Sequence, residues 1–131
     1  MIINDIQYSN EIMHQKFNGI IYLKSHNERL NLEVEKILFF RAEGSYTKVI
    51  MEDENRTPLI SKSLCFFELL LNDKGFFRCH NSYLVNLKQI KSYNIKNKII
   101  TFKFHTIPLS RRRSNEFIRI LSDYGVRYIR T

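Results

Sequence analysis

A mainly β fold is predicted for this 131-residue chain, and three observations carry the prediction. Its apolar segments are short, and several alternate with the period of a strand. Polar turn clusters separate them at close spacing. Only two stretches, one internal and one near the C-terminus, keep the spacing of a helix face.

In chain order, Met1 to about Asn18 shows weak periodicity and reads as an N-terminal tail or short helix (1–18). "GIIYLK" (Gly19–Lys24) is a short apolar strand that stops at the polar turn "SHNE". "RLNLEV" (Arg29–Val34) alternates with period two and sets Leu30, Leu32 and Val34 on one face. "KILFFRAEG" (Lys36–Gly44) is an apolar run stopped by Gly44, and "YTKVIM" (Tyr46–Met51) follows it. Beyond the acidic turn "EDEN", "TPLIS" returns as the second arm of a hairpin, with Pro58 marking an edge strand. The pattern then changes. Ser63 is a plausible N-cap, the next residues are densely apolar, and Asn72 to Gly75 form a stop, which predicts a helix over Leu64–Leu71.

Strands resume at Phe76–Cys79 and Tyr83–Asn86, then at "QIKSYNI" and "KIITFKF" around a turn at Lys96-Asn97. "IPLS" leads into "RRRSNEFIRIL", where Phe117, Ile120 and Leu121 keep helical spacing and Ser110 is the candidate N-cap. The last ten residues (122–131) carry a Gly break and read as a C-terminal tail.

Composition excludes several classes. A hydrophobic share of 44% with 13% aromatics argues against disorder, and 131 residues fit one domain. No apolar run approaches the roughly 18 residues of a membrane span. The start "MIINDIQYSN" lacks the basic end and apolar block of a signal peptide, so a cytoplasmic protein without membrane contact is expected. Cys65 and Cys79 make neither a disulfide framework nor a zinc site, and free thiols are the simpler reading. His14, His26, His80 and His105 have no metal-ligand spacing, so no metal is expected. Four scattered glycines build no phosphate cradle, and no cofactor is expected. Cys79 and His80 are neighbours on a strand and point to opposite faces, so they are no nucleophile–base pair. The "EDEN" carboxylates suit a solvated turn better than acid–base chemistry. The chain is not expected to be an enzyme.

Charge placement is more telling. Residues 1–60 carry 7 Lys/Arg against 9 Asp/Glu, a net of −2, whereas residues 61–131 carry 14 against 4, a net of +10. A polyanion is the natural partner for the second half. "SRRRSN" sets Arg111, Arg112 and Arg113 in a predicted first helical turn, where positive charge opposes the helix dipole. That unfavourable choice invites a functional reason, since arginines at a helix start bind phosphate and read guanine edges. A solvated basic turn is the plainer alternative. "RCHNSYLVN" (Arg78–Asn86) adds a polar cluster between apolar anchors, in which Asn81 can read adenine and His80 can donate to a base or phosphate.

"FFRCHNSYLVN" (Phe76–Asn86) closely resembles the F-x-R-x-H-x-S-y-x-V-N signature of the LytTR-type DNA-binding domain of bacterial response regulators, the LytR/AgrA family. The order "ILFFRAEGSYTKVIM", "SKSLCFFELL", the signature and "ITFKFHTIPLSRRRSNEF" matches that family from about Ile20 to Leu121. The resemblance implies a compact fold of short antiparallel strands in stacked small sheets (19–121), with one short internal helix and a C-terminal helix. It implies double-stranded DNA as partner, read in successive major grooves by loops and not by a recognition helix.

Carried over by motif, His80 and Asn81 match the contact loop, Arg111 with Arg112 the basic residue after the last sheet strand, and Tyr46 a third loop. Lys48, Lys62, Ser63 and Arg113 are candidate phosphate contacts by charge and placement. Ser82 and Asn86 are expected to hold the loop through side chain to backbone bonds. Pairing on direct repeats, with a dimer on DNA, is a further implication. So is a receiver domain or partner protein; the first 19 residues cannot hold a receiver domain of about 100 residues, so the chain is expected to be either a free-standing regulator or an excised piece. Asn81 stands where many relatives carry a basic residue, so a different target preference is expected. The alternative class is an RNA-binding or protein-interaction module using the same basic face.

Overall fold

The computed structural model describes residues 19–24, 29–53 and 55–124. The tail or short helix expected over 1–18, the turn at 25–28, Glu54 of the acidic turn and residues 125–131 lie outside the described residues. The elements are β1 (Ile20–Lys24), β2 (Arg29–Glu33), β3 (Ile37–Glu43), β4 (Tyr46–Met51), β5 (Leu59–Ile60), α1 (Leu64–Leu70), β6 (Phe76–His80), β7 (Tyr83–Asn86), β8 (Ser92–Asn94), β9 (Ile99–Thr101), β10 (Thr106–Pro108) and α2 (Ser114–Asp123). All strand pairs are antiparallel, in a two-stranded sheet β1-β2, a five-stranded sheet β5-β4-β3-β7-β6 and a three-stranded sheet β10-β9-β8.

The five-stranded sheet is the middle layer because both of its faces are apolar. On one face Phe40, Val49, Ile60 and Leu84 pack with Ile21 and Leu32 of the small β1-β2 sheet and with Leu64 and Phe67 of α1. On the other, Phe39, Ile50, Phe77 and Val85 pack with Ile100 and Ile107 of the three-stranded sheet and with Phe117 and Leu121 of α2. A register shift between Ile37 and Phe39 explains the unusual run in β3. It lets Ile37 and Phe40 serve one core while Leu38 and Phe39 serve the other. Phe40 stacks on Phe67 with centroids 4.7 Å apart, tying α1 to the sheet.

The sequence-level reading holds for the architecture, with local corrections. Ser63 caps α1 as expected, its Oγ accepting from the Phe66 amide at 3.3 Å. Pro58 precedes β5 at the sheet edge, and its carbonyl accepts from the Val49 amide at 2.9 Å. The strand expected in "KIITFKF" ends early, at Thr101, because Phe102 donates its amide to the His105 carbonyl at 2.7 Å and the chain turns back.

Ser110 does not cap α2 with its side chain. Its carbonyl instead accepts from the Arg113 amide and from the Ser114 hydroxyl, each at 3.1 Å. Arg111–Arg113 therefore form a 3₁₀ turn ahead of α2 and are not its first turn. The helix continues to Asp123, two residues into the segment read as a tail.

Candidate nucleic-acid interface

Antiparallel pairing brings chain reversals to common ends, and here the register collects five strand ends at one end of the central sheet. Glu43 faces Tyr46, Thr47 faces Ile60, Arg41 faces Tyr83, and His80 faces Tyr83. The two-residue β3–β4 turn, the β6–β7 turn and the start of the segment leading to α1 thus lie side by side. Gly44 sits in the first of these turns with φ +61°, a conformation a tight hairpin needs and glycine adopts without strain.

Main-chain bonds fasten the turns to one another. The Ala42 amide donates to the Ser82 carbonyl at 2.9 Å, and the Ser110 amide donates to the Cys79 carbonyl at 2.8 Å. The second bond brings the Arg111–Arg113 turn to the edge of β6. On the opposite edge, Thr47 is fully buried and its hydroxyl donates to the Lys62 carbonyl at 2.7 Å, which places the cap of α1 beside β4.

Within the β6–β7 turn, the Ser82 amide donates to His80 Nδ1 at 3.1 Å. An Nδ1 that accepts carries no proton, so in the neutral ring the proton is on Nε2, which is left as a donor. The His80 ring rests edge-on to Tyr83, centroids 5.8 Å apart. Asn81 is exposed at the tip, and its side-chain amide has no hydrogen bond among the described residues. Ser82 holds the turn through its main chain, a different means from the hydroxyl bond expected of it. Asn86 bonds through its side chain but does not hold this turn: at the other end of β7 it donates to the Ile37 and Val34 carbonyls at 2.9 and 3.4 Å and accepts from the Lys88 amide at 3.2 Å.

The remaining predicted residues divide by setting. Tyr46 is 40% exposed at the sheet end, and Lys48 stands half-buried on the same face of β4, opposite Arg41. Lys62, just past β5 on the β4 side of the sheet, has its Nζ 5.1 Å from the Phe66 ring centroid. Arg111 and Arg112 are exposed. Arg113 is turned inward, its guanidinium 5.1 Å from the Phe77 ring centroid and its Nε 3.3 Å from Glu116 Oε1. Of the three arginines, it alone is committed to the core.

Two residues of this region were missed as contributors from sequence. Arg78 does not face outward: its guanidinium bonds the His80 carbonyl, the Asn81 carbonyl and Glu68 of α1. Arg41 bonds Glu43 at 3.1 and 2.6 Å. The two carboxylates near this end, Glu43 and Glu68, are therefore each matched by an arginine. What remains uncompensated is positive. Beneath the turn, burial pushes the Cys79 thiol up to about 12, so it is a packed neutral group and no nucleophile. No cluster of His, Cys, Asp or Glu among the described residues can hold a metal ion. No helix among them is long and apolar enough to cross a membrane.

Comparison with known proteins agrees with this fold. The family model described as the LytTr DNA-binding domain matches residues 27–122. Accessory gene regulator protein A of Staphylococcus epidermidis is 32% identical over 83 residues, covering 63% of this chain and 34% of that protein. Its namesake from Staphylococcus aureus is 34% identical over 83 residues, with the same coverage. The chain thus spans about a third of the length of these curated relatives. Among solved structures, the LytTr DNA-binding domain of a protein described as a methyl-accepting/DNA response regulator from Bacillus cereus superposes with a TM-score of 0.67 at 26% identity. That match covers 79% of this chain and 97% of the other.

Proposed function

This chain belongs to the LytTr DNA-binding domain family, and from that premise we propose that it is a transcriptional regulator that binds duplex DNA sequence-specifically through loops at one end of its central sheet. The observation that carries the proposal is the convergence of the 43–46, 80–82 and 110–113 turns, with the second fastened by main-chain bonds to the strand end at Ala42 and to Ser110, while Asn81, Arg111 and Arg112 point outward with no side-chain hydrogen bond among the described residues.

Width supports reading by loops. Four interstrand spacings of about 4.8 Å make the row of turns roughly 19 Å wide before its flanks are added. A single major groove is about 12 Å wide, so the row engages more than one groove, or a groove and its bordering phosphates. Helices are poor candidates for entering it, because α1 is seven residues long and α2 buries Phe117 and Leu121 in the core.

In this reading His80, through its Nε2 proton, and the Asn81 amide contact base edges, with Arg111 and Arg112 beside them on bases or phosphates. Tyr46, Lys48, Lys62 and the Ser63 hydroxyl border the β4–β5 side of the row, opposite the arginine turn. Arg113 contributes by anchoring the arginine turn on Phe77. Cation-to-phosphate contacts supply most of the affinity, and the turns supply the choice of sequence. The protein performs no catalysis, binds two short direct repeats as a pair of copies, and takes its signal from a receiver domain or partner protein.

Selection from a pool of randomised duplex DNA tests this directly. Salt of about 0.15 M screens much of the non-specific attraction. A recurring motif is expected, in two short repeats about one helical turn apart. Retention without any motif, or a preference for single strands that stack on the exposed Tyr46, overturns sequence-specific duplex recognition.

A further inference from the structure

We propose that Arg78 is the residue that positions the β6–β7 turn for DNA recognition, acting as a three-point clamp between that turn and α1 and making no contact with DNA itself. The proposal rests on the DNA-binding reading above and adds to it the means by which His80 and Asn81 are held.

The need for a clamp arises in the backbone. The register of β6 against β7 shifts between Arg78 and His80, so the ladder is interrupted one residue before the turn. Carbonyls at such an interruption lose their strand partners and must find others. Arg78 supplies them from one planar group. Its Nε donates to the His80 carbonyl at 3.1 Å and its Nη2 to the Asn81 carbonyl at 2.6 Å. Its Nη1 donates to Glu68 Oε1 at 2.9 Å, and the side chain is only 23% exposed. A guanidinium presents its donors in a fixed fork, so two successive carbonyls held by one fork cannot rotate independently.

Two consequences bear on recognition. With the carbonyls of His80 and Asn81 engaged by a cation, the turn offers a phosphate less negative potential. The fixed main chain also sets the Ser82 amide against His80 Nδ1, which selects the Nε2-protonated ring. Arg78 is thereby coupled to the donor that His80 presents, and Glu68 carries the constraint into α1.

Arg78→Lys is the informative substitution, because lysine keeps the charge toward Glu68 but has no fork. Two readouts are taken on the full chain. One is hydrogen exchange and the NMR signal of the Ser82 amide without DNA. The other is the affinity ratio between a selected duplex and a scrambled one. R78K is expected to expose the Ser82 amide to exchange and to cut the ratio by roughly tenfold or more, while affinity for scrambled DNA is retained. A Ser82 amide as protected as in the wild type overturns the clamp. A loosened Ser82 with an unchanged ratio overturns its link to recognition. Wild-type protein that prefers no duplex defeats sequence-specific binding instead, and the clamp then stands or falls on Ser82 alone. Should R78K fail to fold, Glu68→Ala removes the anchor while keeping the fork, and is expected to move Ser82 in the same direction by less. No change there also overturns the clamp.

Discussion

The two ends of the central sheet are both polar, yet they use their polar groups in opposite ways. At the far end, where β3 begins and β7 closes, side chains reach across the fold to one another. Asn86 bonds carbonyls at positions 34 and 37, and Gln89 Nε2 donates to the Glu35 carbonyl and to Glu52, each at 2.6 Å. Lys36 is paired with Glu33 at 2.8 Å, and that carboxylate raises the lysine's pKa above its ordinary value. At the end that carries the β3–β4 and β6–β7 turns, main-chain bonds and the Arg41, Thr47 and Arg78 side chains hold the turns from beneath, and the outermost side chains are left unengaged. Asn81, Arg111 and Arg112 have no side-chain hydrogen bonds among the described residues. One end closes on itself; the other is held from below, with its outer side chains unengaged.

The largest expected effect comes from breaking the closed end. Asn86 is 2% exposed, and Asn86→Ala strands two carbonyls and one amide. The loss in unfolding free energy is expected to be about 2–4 kcal/mol, read from the urea midpoint. DNA affinity of the molecules that remain folded should be unchanged. A parallel loss of affinity in folded N86A would show that the two ends are not separable.

Next comes the converse experiment at the open end. His80→Ala and Arg111→Ala are each expected to weaken cognate binding by about 1–3 kcal/mol while leaving the melting temperature close to that of the wild type. Unchanged affinity in both would remove the assignment of these residues. Equal losses on cognate and scrambled duplex would make them phosphate contacts.

Cys79 tests the floor under the open end by pH. Its folded pKa is raised from 9.0 to about 12 by burial, so the folded state holds the thiol proton that the unfolded state releases. The stability this gives is fully present below pH 9.0 and is lost as pH rises towards about 12. Within that window Cys79 contributes a slope of about 1.4 kcal/mol per pH unit. Cys79→Ala should flatten the alkaline decline by that amount against the wild type. In native protein, thiol reagents should label the exposed Cys65 first; fast labelling of Cys79 would contradict a dry floor.

The same contrast explains what was legible in the sequence. Strands that alternate or run apolar, such as Arg29–Glu33 and Ile37–Glu43, announce themselves because one or both faces are buried. Ser63 announced the start of α1 because a cap is a local device. The β6–β7 turn was legible through its motif, which marks residue types at fixed spacing. Arg78 was not, since a strand pattern cannot say that a guanidinium folds back along its own hairpin to fill carbonyls freed by an irregularity. Arg113 was hidden for a related reason: three adjacent arginines look alike until a 3₁₀ turn directs one of them onto Phe77. The Gln89–Glu52 bond joins residues 37 apart in sequence, and no local pattern encodes it.

The smallest effect is also the cleanest separation of the two ends, because it compares one lysine from each. Lys62 lies beside the α1 cap at the recognition end, with Nζ near the Phe66 ring. Lys91 lines an open cleft of about 480 Å³ at the far end, together with Lys36, Lys103, Glu52, Asp53 and Gln89. Each contributes one positive charge, so net charge alone predicts that removing either weakens DNA binding equally. Contact predicts otherwise, since a cation that neutralises a phosphate releases a counterion and a distant one does not. Lys62→Ala is expected to lower the slope of log affinity against log salt by about 0.9, similarly for cognate and scrambled duplex. Lys91→Ala should leave the slope as it is, because Lys91 lies at the end of the sheet away from the turns proposed to meet DNA. Equal slopes for the two variants would mean that DNA is attracted by the charge of the domain as a whole.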